Sequence, residues 1–220
     1  MDLSIFDVLG PVMVGPSSSH TAGALKLART ASLIAAKPFY RVRFGLFGSF
    51  SKTGRGHGTD KALLAGAMGL CETDERIKRA FELADERGIE YEFCEAELAD
   101  SHENSCAITF FHSDNTQTAI VGSSIGGGQI LITDIDGVKT EISANQPTIL
   151  VRQYDRKGVI SAITSILAEA GINIGIMRLS REFKGDIATT VIETDDALDD
   201  SLRRKLMKLD NVISVRFIIV

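Results

Sequence analysis

The chain has 220 residues, 44% of them apolar and 24% charged, with a formal net charge of −5. That balance excludes wholesale disorder and offers no basic face for non-specific nucleic-acid binding. No run of ~18 apolar residues exists to span a membrane, and Met1-Asp2-Leu3-Ser4 lacks the basic and apolar regions of a signal peptide, so the cytoplasm is the expected location.

The length allows one large domain or two small ones, either able to bury a real core. Cys71, Cys94 and Cys106 are an odd, widely spaced set with no C-x-x-C pair. A disulfide scaffold is not expected in the cytoplasm, and a self-contained zinc or iron–sulfur site is not expected because the clustered ligand spacing is missing. Buried free thiols are expected instead, since free Cys is among the most buried residue types.

In chain order, the glycine-rich stretch from Gly15 to Gly23 leads into a helix over residues 24–36. Tyr40, Val42, Phe44 and Leu46 alternate with other residues and predict a strand. Residues 48–60 read as a second glycine-rich loop, and residues 61–70 as a small-residue helix. Residues 74–87 predict one amphipathic helix with Ile77, Ala80, Phe81 and Ala84 on its apolar face. Strands follow over 90–93, 107–112, 117–123 and 129–135, and Asp136-Gly137 is a hairpin signal. Asn145-Gln146-Pro147 is a hinge, Pro147 stopping regular structure.

From Thr148 the pattern becomes strand, helix, strand, strand, helix, strand, the split βαβ order of ferredoxin-like folds. Eleven Lys and Arg against ten Asp and Glu leave residues 148–220 about neutral at +1 and put −6 on residues 1–147. The expected fold class is α+β: an N-terminal mixed α/β domain over 1–145, then a βαββαβ domain over 148–220.

Two loops carry the chemistry. Gly15-Pro16-Ser17-Ser18-Ser19-His20-Thr21-Ala22-Gly23 sets four hydroxyls and an imidazole before a helix. Helix N-termini hold anions through free N–H groups, although simple capping by one hydroxyl is the other reading. No Lys-Ser/Thr pair follows a glycine, so a nucleotide is not implied. In the second loop, Gly54, Gly56 and Gly58 surround His57, with Thr59 and Asp60 after it. A histidine there is either a proton shuttle beside a ligand or a solvated turn residue. Ser101–Ser105 and the run Gly126-Gly127-Gly128 are weaker candidates, and His112, inside a strand pattern, reads as structural.

The succession Gly15-Pro16-Ser17-Ser18-Ser19-His20-Thr21, Gly54-x-Gly56-His57-x-Thr59-Asp60, Ser124-Ile125-Gly126-Gly127-Gly128 and a βαββαβ tail resembles the β subunit family of iron–sulfur-dependent L-serine dehydratases. The resemblance covers essentially the whole chain. It implies an N-terminal domain of the substrate-binding type, related to the substrate/effector-binding domain of some phosphoglycerate dehydrogenases, and a C-terminal ACT domain. It implies a lyase converting L-serine to pyruvate and ammonia, active with an α subunit that ligates a [4Fe–4S] cluster, with no pyridoxal phosphate and no metal held by this chain. The open iron would act as a Lewis acid on the β-hydroxyl. Ser17, Ser18, Ser19, Thr21, Gly54, Gly56, Thr59 and Asn104 would bind substrate, with His57 the first candidate base and His20 the second. Asn104 sits in a turn that commonly reads His-Pro-Asn in the family; Glu103 replaces the proline here. Asp155, Gly158, Asn173 and Ile174 would contact an amino-acid effector, serine first, at the interface of an ACT-mediated homodimer. The competing reading is a non-catalytic amino-acid-sensing module in which His57 is incidental.

Overall fold

The computed structural model describes residues 15–98 and 101–219. The stretch Met1–Ser4 and the predicted end of the last strand at Val220 lie outside them. The chain divides into two compact units, the first ending at Gly137 and the second beginning at Val138.

In the first unit a wide turn over Ser18–Gly23 runs into α1 (Ala24–Ala35). The α1 face made by Leu25, Leu27, Ala28, Ala31 and Ile34 is fully buried, as the helical spacing of its apolar residues requires. β1 (Arg41–Gly48) follows, and then the first departure from expectation. Residues 48–60 are not a loop: Ser49–His57 form helix α2, and after Gly58 a further helix, α3 (Thr59–Ala67), begins. Propensity gives no hint of α2, because Ser, Thr, Gly and His are middling to poor helix formers. Tertiary packing makes it, through fully buried Phe50 and buried Gly54.

The predicted helix over 74–87 is also two pieces, a 3₁₀ turn over Glu75–Arg79 and α4 (Ala80–Glu86). The Asp74 carboxylate caps the tighter turn by accepting from Arg76 N–H at 2.9 Å. The sheet then adds β2 (Glu90–Glu95), β3 (Asn104–Phe111), β4 (Gln117–Gly126) and β5 (Gln129–Ile135), hydrogen-bonded in the order β2-β1-β3-β4-β5. β1 and β2 are parallel, and the other pairs are antiparallel. Asp136 and Gly137 both adopt positive φ, 53° and 85°, as a two-residue hairpin turn demands. His112 is structural, its ring bonded to Pro38 O at 2.9 Å and to Thr118 Oγ1 at 3.0 Å. Of the three thiols only Cys106 is buried; Cys71 and Cys94 are partly exposed, which corrects the expectation that all three would be enclosed.

The second unit holds β6 (Val138–Ile142), β7 (Thr148–Tyr154), α5 (Val159–Glu169), β8 (Ile174–Arg181), β9 (Ile187–Thr194), α6 (Asp200–Met207) and β10 (Val212–Ile218). Its four-stranded sheet runs β10-β7-β9-β8, antiparallel throughout. That order is the ferredoxin-like one. Ile149, Val151 and Ile192 of the sheet pack with Val159, Ile163 and Leu167 of α5 and with Leu202 and Leu206 of α6. The Asp199 carboxylate caps α6 by accepting from Leu202 N–H at 2.8 Å. Among the described residues no helix is long and apolar enough to cross a membrane.

Candidate functional site

The site begins with the turn before α1. Ser17 has extended backbone, and its Oγ accepts from His20 N–H at 3.0 Å. Its carbonyl accepts from both Thr21 N–H at 2.9 Å and Ala22 N–H at 3.3 Å, which widens the turn to π geometry. Such widened turns recur at functional sites. With His20 N–H taken by Ser17 and Thr21 N–H bonded along the chain, the Ser18 and Ser19 amides are the remaining orphan donors of this N-terminus among the described residues. The turn sits tightly on β4. A Cβ on Gly23 would stand 2.0 Å from Ser124 Oγ, so only glycine fits there.

α2 brings the second imidazole. Gly48, at φ 59°, turns the chain from β1 into the helix beside Glu103, whose carbonyl accepts from Ser49 N–H at 2.6 Å. Ser49, Thr53 and His57 are then four residues apart and share one helix face. His20 Nε2 lies 3.1 Å from Ser49 Oγ and 3.1 Å from Thr53 Oγ1, and those hydroxyls are 3.2 Å apart. His57 Nδ1 is 3.1 Å from the Thr53 carbonyl. A carbonyl only accepts, so Nδ1 carries a proton, and in the neutral ring Nε2 holds the lone pair. The two imidazole centroids are 4.9 Å apart, tilted by 40°. The Phe50 ring meets His20 edge-on at 5.4 Å. Burial lowers the His20 pKa, the nearby His57 lowers it further, and a hydrogen bond from the ring to the Ser49 backbone opposes both. His20 therefore favours the neutral ring.

The remaining predicted residues divide. Thr21 is buried, and its hydroxyl donates to the His57 carbonyl at 3.1 Å, tying the end of α2 to the first turn. Thr59 is fully buried with no partner for its hydroxyl, against Gly54. Asn104 pairs with Gly48 across β1 and β3, and its Oδ1 is buried without a donor. Ser124 Oγ, against Gly23, is a third buried hydroxyl or carbonyl oxygen without a partner. Gly56 is exposed with open space beside it. Ser49 and Thr53 were not among the sequence candidates. Their only signal was the i, i+4, i+8 spacing to His57, which carries meaning once α2 is helical. The next face of α2, with Phe50, Gly54 and Arg55, borders a separate cavity of about 510 Å³ walled by Phe81, Tyr91 and Phe93.

The cysteines do not make a cluster-binding set. Cys106 is fully buried in β3, and burial pushes its thiol pKa well up, so it does not offer a thiolate. Among the described residues no group of three or more His, Cys, Asp or Glu side chains is placed to hold a metal ion. The residues present do not fit an iron–sulfur cluster.

In the second unit the four predicted effector contacts fall into two places. Asp155 and Gly158 follow β7, the Asp155 carboxylate bonding Arg181 and accepting from Gly185 N–H at 2.9 Å. Asn173 and Ile174 open β8, with Asn173 N–H donating to Asp196 at 2.8 Å and its amide to Asp195 at 2.5 Å. β7 ends where Tyr154 faces Ile187, beside Arg181 paired with Ala188, whereas Ile174 pairs with Thr194 at the other end of β9. One chain does not bring the two pairs together.

Residues 4–134 match the family model described as Serine dehydratase beta chain, and residues 147–211 match the ACT domain. The chain belongs to the serine dehydratase beta chain family, a lyase family. It is 40% identical over 212 residues to the probable L-serine dehydratase beta chain of Bacillus subtilis, covering 96% of each chain. It is 39% identical over 218 residues to the L-serine dehydratase beta chain of Peptoniphilus asaccharolyticus, covering 99% of this chain and 98% of that one. A more distant similarity, 28% over 123 residues, covers 55% of this chain and 23% of the D-3-phosphoglycerate dehydrogenase of Mycobacterium bovis.

Proposed function

We propose that this chain is the substrate-holding and proton-transferring half of an L-serine dehydratase that forms pyruvate and ammonia, and that an α subunit ligates its [4Fe–4S] cluster. One observation carries the reading: His57 holds its proton on Nδ1 against the Thr53 carbonyl and keeps Nε2 as a base, with a second, neutral-leaning imidazole 4.9 Å away. Nε2 of His57 takes the α-proton of serine. The Ser18 and Ser19 amides and the Ser17 hydroxyl, at the positive end of α1, hold the carboxylate. The partnerless oxygens of Asn104 and Thr59 accept from the substrate ammonium or hydroxyl, since a buried acceptor without a donor gains by receiving one. His57 is exposed in this chain, which suits a base that the partner covers when substrate lies between the two chains. Removal of the α-proton and loss of the β-hydroxyl gives aminoacrylate, which tautomerises and hydrolyses to pyruvate and ammonia.

Anaerobic co-expression with the cysteine-bearing partner is expected to give serine-dependent pyruvate, and an iron–sulfur absorption band only when the partner is present. In that complex His57→Ala is expected to lower kcat about 10²–10⁴-fold, the usual worth of a positioned base. Turnover near that of the parent would remove His57 from the role. Retained turnover with lost effector response, in variants of both histidines, would favour a sensing module instead.

Residues 148–220 are proposed as the regulatory domain, binding an amino acid, serine first, between two copies of the chain. β8 is an edge strand, and Ile176, Leu179 and the following Phe183 are exposed, a surface that a second strand would cover. Antiparallel pairing of two β8 edges sets the start of one against the end of the other. That brings Asn173 and Ile174 of one copy to Asp155 and Gly158 of the next, the juxtaposition a single chain lacks.

A further inference from the structure

We infer that Thr53 decides which ring nitrogen carries the proton in both His20 and His57, which makes it a positioning residue for the pair. The consequence for turnover rests on the function proposed above; the placement of the protons does not.

The argument is a count of protons. Thr53 has one hydroxyl proton, and its Oγ1 lies 2.9 Å from the Ser49 carbonyl, an acceptor with nothing to donate. In this geometry that proton goes to Ser49 O, a carbonyl that also hydrogen-bonds the His20 ring. Thr53 Oγ1 can then meet His20 Nε2, 3.1 Å away, only as an acceptor, so the proton of a neutral His20 ring sits on Nε2. Ser49 Oγ is 3.1 Å from the same nitrogen and 3.2 Å from Thr53 Oγ1. It accepts the second branch of the Nε2–H bond and donates its own proton to Thr53. Each proton in the triangle then has an acceptor, and no two lone pairs face each other.

The main chain of the same residue acts on the other ring. The Thr53 carbonyl, 3.1 Å from His57 Nδ1, places that proton on Nδ1. Opposite tautomers result: His20 keeps its lone pair on Nδ1 and His57 on Nε2. Two adjacent rings, 4.9 Å apart, thus present two different unprotonated nitrogens, one to serve as base and one to accept a hydrogen bond from substrate. The arrangement depends on α2 being helical, since positions 49, 53 and 57 share a face only then. Such outer hydrogen bonds commonly select the tautomer of a working histidine.

The test uses the full chain, labelled with nitrogen-15, and long-range proton–nitrogen correlation of the imidazoles at a pH where both rings are neutral. His20 is expected as the Nε2–H tautomer and His57 as Nδ1–H. Thr53→Val removes the hydroxyl but keeps the carbonyl, so His20 is expected to lose its preference while His57 keeps its own. Thr53→Ser is expected to preserve both. Thr53 is exposed, and unchanged amide spectra would show that the fold is intact. In the complex with the partner, Thr53→Val is expected to lower kcat by about three- to tenfold, the worth of one hydrogen bond, and Thr53→Ser to restore it. A proton on Nδ1 of His20 in the parent chain, or a tautomer indifferent to Thr53→Val, would overturn the assignment. Normal kcat in a Thr53→Val chain with altered tautomer would overturn the positioning role. A parent complex that makes no pyruvate would sink the proposed function while leaving the tautomer result to decide the inference.

Discussion

His20 stands half-buried between the Phe50 and His57 rings, and that surrounding decides its ionisation. Its pKa is lowered by burial first and by His57 second. The unfolded chain therefore binds a proton at His20 more readily than the folded one does. This contribution to stability is fully present above the ordinary histidine pKa of about 6.5 and is lost as pH falls through the lowered folded value. Urea midpoints at a series of pH values across that window are expected to fall toward acid, and to fall less in His20→Gln. Thr59 yields the opposite kind of prediction. Its buried hydroxyl has no partner, so Thr59→Val is expected to be neutral or to stabilise by about 1–2 kcal/mol in thermal or urea melts. If Thr59 meets substrate, the same variant raises KM in the complex. Gly23 and Ser124 form a contact pair. Gly23→Ala would drive a Cβ to 2.0 Å from Ser124 Oγ and is expected to cost about 1–3 kcal/mol as overpacking. Adding Ser124→Gly is expected to recover most of that loss, which a double-mutant cycle of unfolding free energies measures.

At the scale of elements, the sequence was most legible where one face of a helix or strand is apolar at a regular period. α1 ends at Ala35, one residue from its expected end, because its apolar spacing and its burial agree. The βαββαβ order of the second unit was readable for the same reason. α2 was not, because a helix rich in Ser, Thr and Gly lacks both propensity and a broad apolar stripe, and is held by Phe50, Gly54 and the Thr21–His57 bond. That miss hid Ser49 and Thr53, whose roles exist only on a helical face. The first turn sets a cap and a proposed ligand contact on one side chain. Ser17→Ala removes the bond to His20 N–H and is expected to cost about 1 kcal/mol of stability, a common loss for a cap. It would also weaken the proposed carboxylate site, so a rise in KM should accompany the shifted urea midpoint.

For the molecule as a whole, the edge strand β8 is the surface on which the proposed pairing of two copies turns. Leu179→Lys places a charge on the exposed edge and is expected to shift the chain toward monomer in light scattering. Calorimetric binding of L-serine is expected to weaken with it, because each effector site would need residues from two copies. Binding that persists in a monomeric variant would refute that shared site. The residue order alone determined the class of each half, the two histidine-bearing segments, and the absence of a clustered cysteine motif, since these depend on composition, periodicity and spacing along the chain. It did not determine which side chains meet. His20 and His57 are 37 residues apart in the chain, and only folding β1 into α2 beside the turn before α1 sets their rings together. Asp155 and Asn173 are closer in sequence yet end at opposite ends of one sheet. Hydrogen bonds and packing act through space, so the tertiary structure decided which partners face the two rings and which residues hold them.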